Sequence, residues 1–189
     1  ARELDSHFTP RPHLQYLSDR ITQAVIDVEN GKSRFLAVSM PPRMGKTHLS
    51  TFHTPLWLLR KHSDWNIGLI SYDGSLVTSW GRAIRRAVEA GGLGLEIAKD
   101  AGAVTEWETT RGGSVLSRTW RGQLTGRGVK VLIVDDPVKD TADASSKTSR
   151  EAVWDWWKSV AQTRFEPPVL VIVVMTRWHE DDLTGRLLS

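Results

Sequence analysis

A short apolar run, Phe35-Leu36-Ala37-Val38, feeds a loop that ends in Gly45-Lys46-Thr47, and this junction constrains the fold more than any other stretch. Behind it, Leu49, Phe52, Leu56 and Leu59 recur at helical spacing to about Lys61. Strand, tight loop and helix in that order make a concave anion site, because successive backbone N–H groups and the helix N-terminus face one point. Gly45 lets the main chain approach phosphate with no Cβ in the way. Lys46 supplies a point charge for the β- and γ-phosphates, and Thr47 offers a hydroxyl to Mg²⁺. The common form of this loop opens with Gly where the chain has Met40, and Pro41 and Pro42 then hold the loop open by fixing φ. Pro41, Pro42, Arg43, Met44, Gly45, Lys46, Thr47 and His48 form the expected nucleotide cradle.

A second element points to the same chemistry. Val129-Lys130-Val131-Leu132-Ile133-Val134 is a β-branched run closed by Asp135-Asp136-Pro137, which reads as a buried parallel strand with carboxylates at its C-terminal end. In nucleotide hydrolases Asp135 would hold Mg²⁺ through water and Asp136 would polarise the attacking water.

The chain has 189 residues, the size of one domain, with no cysteine and a net charge of only +3. That excludes a disulfide framework and a thiolate metal site. No apolar run reaches membrane-spanning length and no secretory leader is read at the start. Local arginine clusters matter more than the net charge: Arg82, Arg85 and Arg86, then Arg111, Arg118, Arg121 and Arg127. Of the nine tryptophans, Trp154 and Trp157 are spaced for one helix face and are assigned to core packing.

Periodicity predicts a helix from His13 to about Glu29, stopped by Asn30-Gly31, and a second strand over Asn66–Tyr72. A crossover helix from Ser75 to Ala90 and a hairpin about Gly112-Gly113 follow. Lys139 to Ser149 reads as a polar loop, and a tryptophan-rich helix runs from about Arg150 to Phe165. Pro167-Pro168 then opens the most hydrophobic strand, Val169–Met175. Strands alternating with helices predict an α/β fold with a mostly parallel sheet covered on both faces. Thr176, at the C-terminal end of that last strand, is placed to sense a γ-phosphate. The acids that follow, Glu180, Asp181 and Asp182, are read as helix N-terminal carboxylates rather than metal ligands, His179 included.

With these residues in hand, the chain resembles the large terminase subunit of tailed bacteriophages. The resemblance is carried by residues 41–47, Leu-Thr-Gly-Arg-Gly at 124–128, Val-Asp-Asp-Pro-Val-Lys-Asp at 134–140 and Met-Thr-Arg-Trp-His-Glu-Asp-Asp-Leu at 175–183. It implies a P-loop NTPase fold of the additional-strand type, with the strand ending at Met175 between the phosphate-loop strand and the Asp135 strand. Thr176 would then match the coupling motif. Arg127 resembles in position the arginine that reaches a neighbouring subunit's site in assembled rings, and Arg43 is the alternative, acting in cis. The adenine end would lie along Phe8–Gln15, with Gln15 as its candidate. The resemblance further implies ATP and Mg²⁺, sequence-independent contact with double-stranded DNA, a portal protein, a small terminase subunit, and a ring when docked but a monomer alone. It places the protein in the infected host's cytoplasm, transiently on the procapsid portal.

Two departures stand out. Asp136 occupies a position where many terminases have Glu, one methylene longer. Nothing in residues 1–189 corresponds to the family's C-terminal nuclease, and the family's ATPase fold usually continues past the coupling helix, so the ATPase domain is expected to be incomplete at its C-terminal end. A helicase-like DNA translocase, or a scaffold that holds nucleotide without turning it over, stays open as an alternative.

Overall fold

The structure, a computed structural model, describes residues 11–99, 102–122, 124 and 128–189. Helix α1 (Pro12–Glu29) starts on proline, whose missing N–H costs nothing at the first helical position, and ends at Asn30 with Gly31 at φ +83°. Strand β1 (Arg34–Ser39) leads through the glycine-lysine loop into α2, which winds as π turns over His48–His53 and as an α-helix over Thr54–Lys61. The 3.6-residue period therefore fails at the start of this helix.

Next come β2 (Asn66–Ser71) and α3 (Gly74–Glu89), whose first turn is capped by the Asp73 carboxylate accepting from the Ser75 and Leu76 N–H groups. Strands β3 (Glu106–Glu108) and β4 (Ser114–Thr119) form the expected antiparallel hairpin. Strand β5 (Val129–Asp135) carries the acids, and β6 (Phe165–Met175) is the longest strand. The sheet order is β1-β6-β5-β2-β4-β3, parallel throughout except for β3. Strand β6 thus lies between the phosphate-loop strand and the acid-bearing strand.

Alternation sorts the central strands onto two faces. Val131, Ile133, Leu170, Ile172 and Val174 pack with α1, α2 and α3. Leu132, Val134, Val171, Val173 and Met175 pack on the other face with the tryptophan-rich helix and the final helix. Both faces are covered, so β5 is continuously apolar from Val131 to Val134 and β6 from Val169 to Met175. No helix among the described residues is long and apolar enough to cross a membrane.

Two expectations need correction. The polar segment 139–149 holds a short helix, α4 (Thr141–Ser145), and the start of α5 (Lys147–Trp156); the Asp140 and Ser146 side chains cap their first turns. Helix α5 continues in π turns over Trp157–Ala161; Trp157 is buried in the core and Trp154 packs half-buried against it beside Lys158 and Arg186, both as expected, with Trp156 buried as well. Strand β6 begins before its prolines, at Phe165 opposite Val129, and its pairing with β5 is irregular until Leu170 meets Val131. Pro167 and Pro168 sit in that irregular stretch, where a missing N–H breaks no ladder bond.

Candidate functional site

The C-terminal ends of β1, β6, β5 and β2 all open onto one cleft of about 430 Å³. It is lined by Pro42, Arg43, Gly45, Lys46, Thr47 and His48 from the loop, by Asp136 beyond β5, and by Thr176 beyond β6. Parallel strands with intervening helices collect their loops at this end, which is where such sheets bind ligands.

The loop takes its shape from two left-handed residues, Arg43 at φ +61° and Gly45 at φ +84°. Gly45 also sits against Leu14 of α1: an added Cβ would lie 3.1 Å from Leu14 Cδ1. Lys46 is almost fully buried, at 4% exposure. A buried ammonium needs acceptors for each N–H, and Nζ has three: Thr176 Oγ1 at 2.6 Å, Asp136 Oδ1 at 3.2 Å and the Met40 carbonyl at 3.3 Å.

Asp136 is aimed by its backbone. Its φ of +43° is rare for any residue but glycine, though Asp tolerates it better than most. Its N–H donates to the Val174 carbonyl and its own carbonyl accepts from Tyr72 N–H, so β6 and the end of β2 hold it from both sides. The Oδ1 atom accepts from Lys46 and from the Thr176 backbone N–H at 2.8 Å. Thr176 therefore touches both halves of the site, through its hydroxyl to Lys46 and its amide to Asp136.

Asp135 lies deeper, at 4% exposure. Thr47 donates to its Oδ1 at 3.2 Å and Thr51, one turn along α2, donates to its Oδ2 at 3.0 Å. Burial, and then the neighbouring Asp136 charge, push its carboxyl up to about 6 against the opposing pull of both threonines and Lys46. A hydroxyl and a buried carboxylate 3.2 Å apart beside the lysine are the hard oxygen donors that Mg²⁺ takes, with phosphate and water completing its shell. The donor set fits that ion.

Beyond Thr176 the chain is tied down rather than loose. Arg177 pairs with the buried Asp182 at 2.7 Å, and Asp182 caps the last helix, α6 (Leu183–Leu188), through Gly185 N–H. Asp181 bridges Arg186 at 2.7 Å and Arg150 of α5 at 3.1 Å, and these guanidinium groups hold its carboxyl well below the usual range. His179 Nδ1 accepts from the Asp181 N–H. Asp182 is thus spent on the cap and an ion pair, and Asp181 on ion pairs, while Glu180 offers its backbone carbonyl to Arg177.

The expected residues divide clearly. Lys46, Thr47, Asp135, Asp136 and Thr176 converge; Pro42, Arg43 and His48 line the same cleft. Arg43 is exposed at its mouth. Gln15 stands on the exposed side of α1 bonded to Asp19, and it does not line the cleft. Arg127 and residues 8–10 lie outside the described residues. Sequence reading missed Thr51, the aromatic wall of Tyr72, Trp80 and Trp178, and His13, whose Nε2 lies 3.0 Å from the Met44 carbonyl. Thr51 was within reach, since it lies one helical turn after Thr47 on the same face; the others carry no local signal.

Residues 38–186 match the family model for the terminase large subunit, T4likevirus-type, N-terminal. The crystal structure of the HK97 bacteriophage large terminase is similar with a TM-score of 0.60 and 14% identity, covering 93% of this chain and 35% of that one. The Thermus phage P74-26 large terminase ATPase domain is similar with a TM-score of 0.50 and 10% identity, covering 93% and 68%. At such identities the likeness concerns the fold, and the chain spans little more than a third of the HK97 protein. No curated protein matches the sequence.

Proposed function

The chain belongs to the family of T4likevirus-type terminase large-subunit N-terminal domains, and from that premise we propose that it is the ATP-hydrolysing part of a motor that drives double-stranded DNA into a phage procapsid. The observation that carries the reading is the meeting of Lys46, Asp136 and Thr176 within 3.2 Å, with Thr47 and Asp135 alongside.

ATP lies with its phosphates over Arg43–His48. Thr47 and Asp135 would hold Mg²⁺, which would supply charge neutralisation to the phosphates. Pro41 and Pro42 have no N–H to offer, so the cradle's amides begin at Arg43. Lys46 exchanges part of its present acceptor set for phosphate oxygen. That exchange frees Asp136 Oδ1 to orient water and take its proton. Thr176 senses the change at both ends, because its hydroxyl follows Lys46 and its amide follows Asp136. The Arg177–Asp182 pair and the Asp181 bridge then carry the shift into α6 and α5.

The finer assignments belong to the same proposal. Arg127 acts in trans on a neighbouring subunit's phosphate, or Arg43 acts in cis on its own. DNA contact is with phosphate and falls steeply with salt. The portal protein and the small terminase subunit are the assembly partners, and the site of action is the host cytoplasm at the procapsid. A second reading, a nucleotide-held assembly switch, draws on one observation: Asp136 is already engaged by Lys46 and Thr176 N–H.

Multiple-turnover phosphate release, measured against protein concentration with and without DNA and portal, tests the proposal. Turnover that requires Mg²⁺, rises with concentration and vanishes in Lys46→Ala supports it. Nucleotide binding with no turnover under any of these conditions favours the switch, and turnover intact in Lys46→Ala overturns the site.

A further inference from the structure

Helix α1 touches the phosphate loop at two adjacent residues. His13 Nε2 lies 3.0 Å from the Met44 carbonyl, 31 residues away, and the contact is half-buried. Leu14, itself buried, fills the space against Gly45. Met44 stands between the two left-handed residues, Arg43 and Gly45, and the peptide that His13 grips turns partly about φ of Gly45, where no Cβ resists it.

The geometry of a trans peptide gives that grip a consequence. The carbonyl of Met44 and the N–H of Gly45 belong to the same planar unit and point in opposite directions. A hydrogen bond that draws the Met44 carbonyl outward, toward α1, turns the Gly45 N–H the other way. The other way is the cleft, where Gly45 and Lys46 are lining residues. A carbonyl in this place accepts only, so His13 must donate, with its proton on Nε2.

We propose that His13 is a positioning residue of the phosphate cradle: its Nε2–H fixes the Met44–Gly45 peptide so that the Gly45 amide faces the nucleotide's phosphates. This rests on the nucleotide reading given above and deepens it. It also gives the first turn of α1 a different role from the adenine contact expected of Gln15. By linkage, phosphate binding tightens the docking of that turn to the same degree that the turn tightens phosphate.

The experiment is an equilibrium titration of the whole chain with Mg²⁺ and a fluorescent ADP analogue, followed by displacement with inorganic pyrophosphate. Losing one net hydrogen bond of ordinary strength weakens binding by about three- to tenfold. His13→Ala is expected to lose that much, and equally for ADP and for pyrophosphate. His13→Gln places an amide N–H where Nε2 stands and is expected to bind within about twofold of wild type. Wild-type affinity in His13→Ala overturns the proposal. So does a loss confined to ADP with pyrophosphate spared, which assigns His13 to the base, and so does His13→Gln as weak as His13→Ala. Thermal melting of the free proteins guards against misfolding, with His13→Gln as the variant to rely on if His13→Ala melts early. A wild type that binds neither probe is a different result: it removes the nucleotide reading itself.

Discussion

Lys46 donates to Thr176 Oγ1 at 2.6 Å across 130 residues of sequence, and Thr176 returns along its own backbone N–H to Asp136. The strand order makes this contact possible. With β6 between β1 and β5, the residue after β6 is the nearest neighbour of both the phosphate loop and the acidic pair.

On the proposed function, that contact would separate binding from turnover. Thr176→Val removes the hydroxyl and keeps the amide that holds Asp136. Nucleotide affinity is expected to stay within about threefold, while turnover falls by about tenfold or more, in the range for a lost positioning contact. Titration and phosphate release on the same preparation check this. A proportional loss in both would make Thr176 a binding residue only.

Thr51 supplies the second hydrogen bond on Asp135, a metal ligand only under the proposed function, and outer-sphere partners of metal ligands typically change metal affinity about 10–100-fold. Thr51→Val is expected to raise the half-saturating Mg²⁺ concentration about tenfold, and Thr51→Ser to restore it. The readout is Mg²⁺-dependent fluorescence of bound nucleotide analogue. An unchanged Mg²⁺ requirement in Thr51→Val would remove Thr51 from the site.

Asp135 sets function against stability. Its carboxyl sits at about 6 in the fold against 3.8 for the free group, so the folded state binds the extra proton between those values. Stability of the ligand-free chain therefore falls as pH rises through about 4 to 6, by about 3 kcal/mol from this group alone. Asp135→Asn is expected to melt at or above the wild-type temperature at pH 7.5, to flatten the fall between pH 4 and 6, and to abolish Mg²⁺-dependent binding. Melts at a series of pH values decide it, and a strongly destabilised Asp135→Asn would contradict it.

Asp181 has the opposite sign. Arg186 and Arg150 hold its carboxyl well below the usual range, so the unfolded chain takes up this proton first as pH falls. The stabilisation is present above about pH 4 and drains away below it. Asp181→Asn is expected to melt below wild type at pH 7, with the gap narrowing as pH drops from 4 toward 2.5. A gap constant with pH would show that packing, not charge, links α5 to α6.

Much of this fold was legible because β5 and β6 are so apolar that both faces had to be covered, and because Gly45-Lys46-Thr47 and Asp135-Asp136 each mark a strand's C-terminal end. The position of β6 came from a family resemblance; residue periodicity says nothing of strand order. Spacing put Trp154 and Trp157 against the core, while the burial of Trp156 beside them carried no periodic signal. Pro167-Pro168 marked where β6 becomes regular, not where it begins. His13 was illegible for a different reason: a side chain gripping a carbonyl 31 residues away leaves no trace in composition or spacing.

Equilibrium binding of Mg²⁺ with a fluorescent ATP analogue, compared between wild type, Lys46→Ala and Asp135→Asn, is the most direct test of whether the loop and the acids serve one ligand. Saturable binding by wild type, weakened at least tenfold by Lys46→Ala and stripped of its Mg²⁺ dependence by Asp135→Asn, is the expected result. Equal binding by all three proteins would contradict it, because a lysine and a carboxylate this close to the same triphosphate cannot both be dispensable.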